Sequence, residues 1–349
     1  MRQINRVAVL GAGVMGATIA AHLANAGLEV LLLDIVPKEL DDKEKAKGLT
    51  LESPVVRNKI AQAGLNGLLK MKPAPFYLKE YAGQIAVGNL EDDLAKLTEC
   101  DWIIEVVVEY MPIKLDLLQK LVPHLAEGAI LTTNTSGLSV NEMAAVLPPE
   151  VKKNFLATHF FNPPRYMRLM EIVPCTDTDP EVVKGLSDFI ATRLGKGIVF
   201  AKDTTNFIAN RIGTYAIYKG IEHMVAMGMT VEEVDSVAGP ATARPKSAAF
   251  RTADLVGLDT LAHVGTNSHD LLPDDEERAV FKLPGFMKNM IDAGQLGNKT
   301  KQGFYKKAMV DGKKQIYYYD YNTGEYQPLA KPKFASVISV KQVDDPAQK

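Results

Sequence analysis

The chain has 349 residues and a formal net charge of −2, with 46% hydrophobic and 23% charged residues. These values are ordinary for globular proteins, and a chain of this length favours two domains of about 100–200 residues each. The absence of a basic stripe argues against a nucleic-acid partner, and no uninterrupted apolar stretch approaches the ~20 residues that span a bilayer. The two cysteines, Cys100 and Cys175, are too few for a disulfide framework or a four-ligand zinc site. We therefore expect no metal, and two thiols in a reducing, cytoplasmic compartment.

The first 34 residues have the pattern of a βαβ unit. Residues 7–10 form a short apolar run, residues 15–25 predict a helix that ends at Gly27, and residues 30–33 predict a second strand. Because parallel strands need a crossover connection, this order implies a parallel sheet. A secretory signal peptide is the alternative interpretation of the N-terminal apolar run, and the glycines within it and the strand that follows argue against it.

Strand and helix patterns continue along the chain to about residue 203. Residues 36–81 are polar and helical in pattern, a further helix is expected at 115–125, and strands are expected at 102–108, 129–133, 154–161, 169–173 and 198–201. Beyond residue 203 the predicted elements are helices, at 206–227, 231–237, 252–267 and 286–293. Hairpin turns at 311–312 and 322–324 separate tyrosine-rich segments, and the end past residue 331 looks like a linker.

A glycine motif follows the first predicted strand. Gly11, Gly13 and Gly16 match G-x-G-x-x-G between a strand and a helix, where they permit a tight turn, approach of a pyrophosphate and close helix–strand packing. Asp34 ends the second strand, where a carboxylate can accept both adenine-ribose hydroxyls and repel a 2′-phosphate. The two residues after it offer no arginine, so we predict NAD rather than NADP. A flavin-binding or purely structural domain is the alternative.

The fold prediction is therefore α/β, with an N-terminal Rossmann-like NAD-binding domain at 1–203. A smaller all-α domain is expected at 204–306, followed by a hairpin-rich tail or linker at 307–349. Ligands of open α/β sheets bind outside the carboxyl ends of the strands. Polar residues that follow the predicted strands are therefore the candidates for catalysis.

Two of these residues form a possible acid–base pair. His159 closes one predicted strand, Glu171 lies in the next, and the proline turn at 162–165 can bring them together. Oxidation of an alcohol needs a base for the hydroxyl proton, and a carboxylate can set the tautomer of the imidazole and stabilise the imidazolium. Ser136, after a neighbouring strand, could hydrogen-bond the substrate oxygen. A structural core histidine is the alternative for His159.

Seven short sequence segments occur in an order that is typical of one protein family: 134–136, 159–163, residue 171, 202–204, 206–211, 254–259 and 303–305. Together they cover about residues 5–306, and they resemble the L-3-hydroxyacyl-CoA dehydrogenase family. The chain is most similar to the dehydrogenase portion of long bacterial fatty-acid oxidation proteins. The resemblance implies oxidation of (S)-3-hydroxyacyl-CoA to 3-ketoacyl-CoA with NAD, in fatty-acid β-oxidation.

The resemblance also implies roles for individual residues. His159 would be the general base and Glu171 its partner, whereas Ser136 and Asn210 would hold the substrate oxygen. Contacts to NAD would come from five residues: Glu109, Lys114, Ser136, Asn162 and Lys299. An exposed pair at a helix start is the alternative for the first two. Because Asn210 lies beyond residue 203, the site would lie in the cleft between the domains.

One segment departs from the family pattern. Residues 244–251 stand where short single-function members carry a Gly-Pro-Phe segment, which leaves the acyl-chain preference open. Lys59, Lys70 and Lys72 are candidates for contacts to CoA, with a solvated lysine face as the alternative. Two other functions also remain open, oxidation of a free 3-hydroxy acid or sugar acid and a non-catalytic NAD-binding role.

The resemblance implies assembly as well. The family's helical domain packs an apolar face against a second copy of itself, so we expect a homodimer through this domain. A chain cut from a longer fused protein would instead leave a monomer with an exposed apolar patch. The apolar residues concerned are Ile208, Ile212, Ile217, Ile221, Met224, Val225, Met227, Leu255, Val256 and Leu261.

Overall fold

The computed structural model describes residues 3–343 and 345–348, and it divides into two compact units, Met1–Phe207 and Ile208–Lys349. Among the described residues, none of the helices combines the length and the apolar character needed to cross a membrane. Both cysteines are buried, and within the described part of the chain they form no disulfide.

The first unit is built on an eight-stranded sheet. Its strands are β1 Arg6–Leu10, β2 Glu29–Asp34, β3 Ile85–Asn89, β4 Trp102–Glu105, β5 Ile130–Thr133, β6 Phe155–Phe160, β7 Leu169–Pro174 and β8 Gly197–Phe200. The order across the sheet is β3-β2-β1-β4-β5-β6-β7-β8. Only the β6–β7 pair is antiparallel among the described strands of this sheet.

Helices cover both faces of this sheet. They are α1 Val14–Asn25, α2 Asp42–Ala46, α3 Pro54–Arg57, α4 Lys59–Leu68, α5 Met111–Leu121, α6 Val140–Ala145, α7 Pro149–Lys152 and α8 Pro180–Arg193. Short 3₁₀ turns occupy Lys79–Gln84, Leu94–Glu99 and Val122–His124. One core contains α1 and α8, and the other contains α5 and α6. Because both faces are covered, the central strands β1, β2 and β4 have continuous apolar runs rather than alternating patterns.

The strand order reverses between β1 and β4, the first and fourth strands along the chain. At this switch point the carboxyl ends of neighbouring strands open away from each other, and α/β proteins bind ligands there. The loop after β1 carries the glycine motif, and the loops after β4 and β5 lie on the same edge of the sheet. The topology thus brings the sequence-predicted site residues of this unit to one edge.

The second unit contains helices followed by a small sheet. Its helices are α9 Ala209–Met227, α10 Val231–Val237, α11 Phe250–Val256, α12 Leu258–Leu271, α13 Gly285–Asp292 and α14 Ala335–Ser339. Its 3₁₀ turns are Pro240–Thr242, Arg278–Phe281, Asn298–Thr300 and Pro346–Gln348. Three antiparallel strands form a meander, β9 Tyr305–Val310, β10 Lys313–Asp320 and β11 Glu325–Pro328. The tight turns between them fall at the two predicted hairpin positions.

Several elements differ from the sequence-based expectations. The single helix expected at 252–267 is two helices, because Gly257 has a φ of +99° and interrupts the helical backbone. Strand β3 and helix α8 were not predicted. The meander within the expected tail is not separate from the helices, since its Tyr319 is buried in the same hydrophobic core as Phe250 and Phe304.

Candidate active site

The glycine loop after β1 has the backbone geometry that a dinucleotide needs. Gly11 has a φ of +108°, and a Cβ there would lie 2.6 Å from the Val106 carbonyl oxygen. A Cβ on Gly16 would lie 1.8 Å from the Gly11 carbonyl oxygen, so the helix can approach the strand only without a side chain. A Cβ on Gly13 would meet no atom of the described residues within 4 Å. Backbone atoms therefore leave no room for a side chain at positions 11 and 16. The space beside Gly13 is open, and a pyrophosphate would approach the loop there.

Asp34 lies at the carboxyl end of β2, beside this loop. Its Oδ2 accepts a hydrogen bond of 2.5 Å from the Ala12 backbone N–H, and its Oδ1 accepts one of 2.6 Å from the Ile35 N–H. The carboxylate is half-buried, so its outer side can still accept ligand hydroxyls. These bonds orient Asp34 toward the loop, as an NAD ribose site requires. The residues present fit this cofactor.

His159 and Glu171 lie directly opposite each other in the antiparallel β6–β7 ladder. Such pairs place their side chains side by side on one face of the sheet. His159 Nδ1 lies 2.7 Å from Glu171 Oε2, and both residues are buried. With the carboxylate ionised, Nδ1 carries the hydrogen and donates it, so Nε2 retains its lone pair. The Phe161 and Phe207 rings lie 4.4 and 5.9 Å from the imidazole centroid and cover it with apolar surface.

Hydrogen bonds connect the loop after β5 to strand β6 on one side and to the loop after β4 on the other. Asn134 Oδ1 accepts a hydrogen bond of 2.9 Å from the Phe160 N–H, next to His159. Glu109 Oε1 accepts bonds from the Thr135 hydroxyl at 2.7 Å, the Ser136 N–H at 2.7 Å and the Ser136 hydroxyl at 3.1 Å. Ser136 is thus held by Glu109 at the same sheet edge as the His159–Glu171 pair.

A buried ion cluster lies behind Glu109. Lys114 is 1% exposed, and its Nζ lies 2.8 Å from Glu105 Oε1 and 3.3 Å from Glu109 Oε2. Burial opposes ionisation of Glu109, but the Lys114 ammonium and the hydrogen bonds from Thr135 and Ser136 outweigh it and lower the pKa of Glu109. The alternative of an exposed pair at a helix start is wrong for Lys114. Its ammonium is committed to the two carboxylates and fixes the position of Glu109.

Glu105 and Lys196 are two positioning residues that sequence reasoning missed. Glu105 is fully buried at the end of β4 and accepts bonds from Lys114, the Val107 N–H at 2.8 Å and the Thr133 hydroxyl at 2.5 Å. A charged residue that closes an apolar strand was the available signal. Lys196 is buried, and its Nζ donates to the Pro164 and Met167 carbonyls in the turn between β6 and β7. Burial lowers the pKa of Lys196 to about 8.

Asn162 is exposed at the start of that turn and lines a cavity of about 210 Å³. Val14 and Thr18, near the start of α1, line the same cavity, as does Lys72. Lys72 is one of the three lysines predicted as candidates for contacts to CoA. The other two, Lys59 and Lys70, are not among the described residues that line this cavity. Lys59 is held by the Glu44 carboxylate at 2.7 Å, and Lys70 is exposed.

Two predicted site residues belong to the second unit. Asn210 lies in the first turn of α9, and Lys299 forms an ion pair with Asp259. The family segment at 202–204 has a structural role within the first unit. The Asp203 carboxylate accepts bonds from the Val140 and Asn141 N–H groups at the start of α6, each at 2.8 Å. Across the described residues, no group of three or more His, Cys, Asp or Glu side chains is arranged to hold a metal.

The open glycine loop, the carboxylate at the end of β2 and the switch-point topology define the first unit as a Rossmann-type dinucleotide-binding domain. Residues 6–204 match the family model "3-hydroxyacyl-CoA dehydrogenase, NAD binding domain", and residues 207–307 match "3-hydroxyacyl-CoA dehydrogenase, C-terminal domain". The chain belongs to the 3-hydroxyacyl-CoA dehydrogenase family, and NAD is its cofactor.

Curated relatives carry the same family name. The chain is 49% identical over 341 residues to "Probable 3-hydroxyacyl-CoA dehydrogenase" of Bacillus subtilis (strain 168), a match that covers 98% of this chain and 43% of the relative. It is 46% identical over 305 residues to the protein of the same name from Deinococcus radiodurans, covering 87% and 83%. The chain therefore spans less than half of the Bacillus subtilis protein.

Solved structures of similar fold include Mycobacterium tuberculosis FadB2, with 29% identity and a TM-score of 0.68. That match covers 88% of this chain and 100% of the other. (S)-3-hydroxybutyryl-CoA dehydrogenase PaaH1 from Ralstonia eutropha has 27% identity and a TM-score of 0.66, with 86% and 98% covered. The expected fold class, α/β followed by a helical domain, is confirmed.

Proposed function

We propose that this chain oxidises (S)-3-hydroxyacyl-CoA to 3-ketoacyl-CoA with NAD, as a step of fatty-acid β-oxidation. The observation that carries the proposal is the buried His159–Glu171 pair at the sheet edge that also bears the glycine loop. The glycine loop and Asp34 would hold NAD, which would supply the acceptor for the hydride of the carbon that bears the hydroxyl. His159 Nε2 takes the hydroxyl proton, and Glu171 stabilises the imidazolium that forms.

The other site residues orient the reactants in this proposal. Ser136 and Asn210 hydrogen-bond the substrate oxygen, and the Glu105–Lys114–Glu109 cluster sets the position of Ser136. Contacts to NAD come from the glycine loop, Asp34 and Asn162, with Glu109, Lys114 and Lys299 supporting the cofactor side. The half-buried Asp34 carboxylate would repel a 2′-phosphate, so NADP should be a poor substitute.

A steady-state assay tests the proposal. The purified chain is given acetoacetyl-, 3-ketooctanoyl- and 3-ketohexadecanoyl-CoA with NADH, and in parallel free acetoacetate with NADH. We expect turnover of at least one thioester, negligible turnover of the free acid, and a much lower kcat/KM with NADPH. Equal turnover of the free acid would favour a hydroxy-acid dehydrogenase. Absence of turnover with NADH binding intact would favour a non-catalytic NAD-binding protein.

We also propose that the chain forms a homodimer through its second unit. Four of the ten apolar residues considered above are buried within the unit: Ile217, Ile221, Met224 and Leu261. The other six are at least 37% exposed: Ile208, Ile212, Val225, Met227, Leu255 and Val256. One small domain has thus buried part of its apolar surface. Of the remainder, Leu255 lines a cavity within the second unit, and the other five residues form the surface that we propose for a partner.

The two buried thiols fit a reducing compartment such as the cytoplasm.

A further inference from the structure

The second unit contains a cavity of about 560 Å³ between helix α11 and the β9–β10 hairpin. Five cationic side chains line it: Arg251, Lys301, Lys306, Lys307 and Lys314. Within the described part of the chain, its lining includes none of the residues assigned above to catalysis or to NAD. A volume of this size is in the range of small-molecule sites, which run from about 300 to 1,000 Å³.

The local structure explains why these cations converge. Arg251, Asp254 and Leu255 are three and four residues apart on α11, so they share one face of the helix. In the β9–β10 ladder Tyr305 pairs with Tyr318 and Lys314 pairs with Met309. Lys307 and Lys314 are therefore diagonal neighbours on the face of the hairpin that also bears Tyr305. The helix face and the hairpin face form the two walls of the cavity.

The positive charge of the lysines in this cavity is not paired within the described residues, whereas Arg251 interacts electrostatically with the nearby Asp254 and Glu232. None of the five cations forms an ion pair with a carboxylate of the described residues. Asp254 is the acidic residue in the lining, but it is 4% exposed, and its oxygens accept the Phe304 and Tyr305 N–H groups at 2.7 and 2.9 Å. In a chain of net charge −2, this concentration of like charge favours an anionic ligand.

An aromatic ring holds one of the cations on the cavity side in place, since the Arg251 guanidinium carbon lies 4.0 Å from the Tyr305 ring centroid. Lys306 alternates to the opposite face of the hairpin, where its Nζ lies 4.0 Å from the Tyr326 ring centroid. Such contacts restrict long side chains before a ligand arrives, which reduces the entropy lost on binding. Leu255, 64% exposed, adds an apolar surface to the lining next to Arg251. The cavity thus combines several cationic groups with one apolar surface.

We propose that this cavity binds a nucleotide that carries two or more phosphates. Lys307, Lys314 and Lys301 would contact the phosphate oxygens. The base would pack against Leu255 and the Arg251 guanidinium, because guanidinium planes stack on nucleobases. Binding should weaken as ionic strength rises, since the lysines are solvent-exposed and salt screens their charges.

Calorimetric titration of the NADH-saturated chain with ATP tests this proposal, because bound NADH blocks the dinucleotide site of the first unit. We expect one saturable site, at which AMP and tripolyphosphate bind more weakly than ATP. The double variant Lys307→Glu/Lys314→Glu should lose at least about tenfold in ATP affinity, since a charged hydrogen bond contributes about that much. The control Lys313→Glu/Lys331→Glu makes the same change in charge at exposed positions outside the cavity lining.

Several results would overturn the proposal. Absence of saturable ATP binding to the NADH-saturated chain would remove the site, and equal losses in the two double variants would reduce it to non-specific charge. Tripolyphosphate that binds as tightly as ATP would overturn the nucleotide assignment. Thermal melts of both variants and their NADH affinities serve as folding controls. A selective loss in Lys307→Glu/Lys314→Glu, with both controls at wild-type values, supports the proposal.

Discussion

His159 acquires its proposed role from a single buried hydrogen bond. The antiparallel register sets its Nδ1 2.7 Å from Glu171 Oε2, in surroundings where water cannot compete for either group. An ionised carboxylate in this position selects the tautomer with hydrogen on Nδ1. The interaction between this carboxylate and the imidazole ring also becomes more favourable when the ring takes up a proton. The pair therefore behaves as one chemical unit.

Replacement of His159 by alanine should reduce kcat by roughly 10²–10⁴-fold, the usual contribution of a general base. Glu171→Gln should act in the same direction, because the imidazolium loses its charged neighbour. The losses should not add in the double variant, since neither residue functions without the other. Steady-state kinetics with acetoacetyl-CoA measures these effects, and fluorescence titration with NADH serves as the binding control. Near-normal turnover by His159→Ala would exclude it as the base.

At the scale of elements, the loop between β1 and α1 needs glycine at two positions for two different reasons. A Cβ at position 16 would collide with backbone, whereas a Cβ at position 13 would point into open space. Gly16→Ala should therefore lower the melting temperature or prevent folding. Gly13→Ala should fold normally but bind NADH more weakly, because its methyl group would occupy the pyrophosphate approach. Thermal melts and NADH titrations measure both. Wild-type NADH affinity in Gly13→Ala would move the cofactor away from this part of the loop.

Helix α1 also makes the first unit sensitive to acid. His22 is buried, and burial followed by the nearby Lys196 ammonium lowers the pKa of His22 to about 4 from 6.5. Unfolding exposes the ring, which then takes up a proton at any pH between these values. The free energy of unfolding should therefore be unaffected above pH 6.5 and decrease as the pH falls toward 4, by up to about 3 kcal/mol.

Urea unfolding followed at Trp102, the one tryptophan of the chain, reports on the first unit. His22→Gln should show a smaller loss of unfolding free energy between pH 7 and pH 4 than the wild type, because glutamine does not titrate. His263→Gln, at an exposed position of the second unit, is the matched control. An identical pH dependence in His22→Gln and the wild type would contradict this assignment.

On the scale of the whole molecule, the exposed apolar face of the second unit predicts a dimer. Sedimentation at micromolar concentration should give a species of twice the 38.1 kDa chain mass. Ile212→Asp, at a position 63% exposed, should shift the chain toward monomer, since a carboxylate in an apolar interface loses its hydration. Val55→Asp, at an equally exposed apolar position of the first unit, should not. A clean wild-type monomer would favour a partner surface supplied by residues outside this chain.

The sequence by itself determined the features that depend on local order. The apolar runs and glycines of the first 34 residues predicted β1, α1 and β2 because their periodicity and turn residues are contiguous. Strand β3 and helix α8 were not recognised. The apolar run of β3 is only three residues long, Ile85 to Val87, and the strand pairs with β2 in the folded sheet. Helix α8 was overlooked although its buried residues Val182, Leu186 and Ile190 follow a helical spacing. Gly257 likewise divides a continuous helical pattern, because its backbone has a φ of +99°, and a Cβ there would lie 3.1 Å from Asp259 Oδ1.

Only the tertiary structure decided which distant polar groups meet. The pairing of His159 with Glu171 was expected from a short turn, which keeps the two residues close in sequence. The lysines of the second-unit cavity were not expected, because they come from elements whose relative positions depend on packing. The Glu105–Lys114–Glu109 cluster was not expected either, although Glu105 and Lys114 are 9 residues apart, because the sequence pattern did not show that Lys114 is buried. A sequence pattern shows which side of an element is apolar. The balance between burial, desolvation and charge pairing that leaves Lys114 enclosed and Lys307 exposed depends on the folded whole.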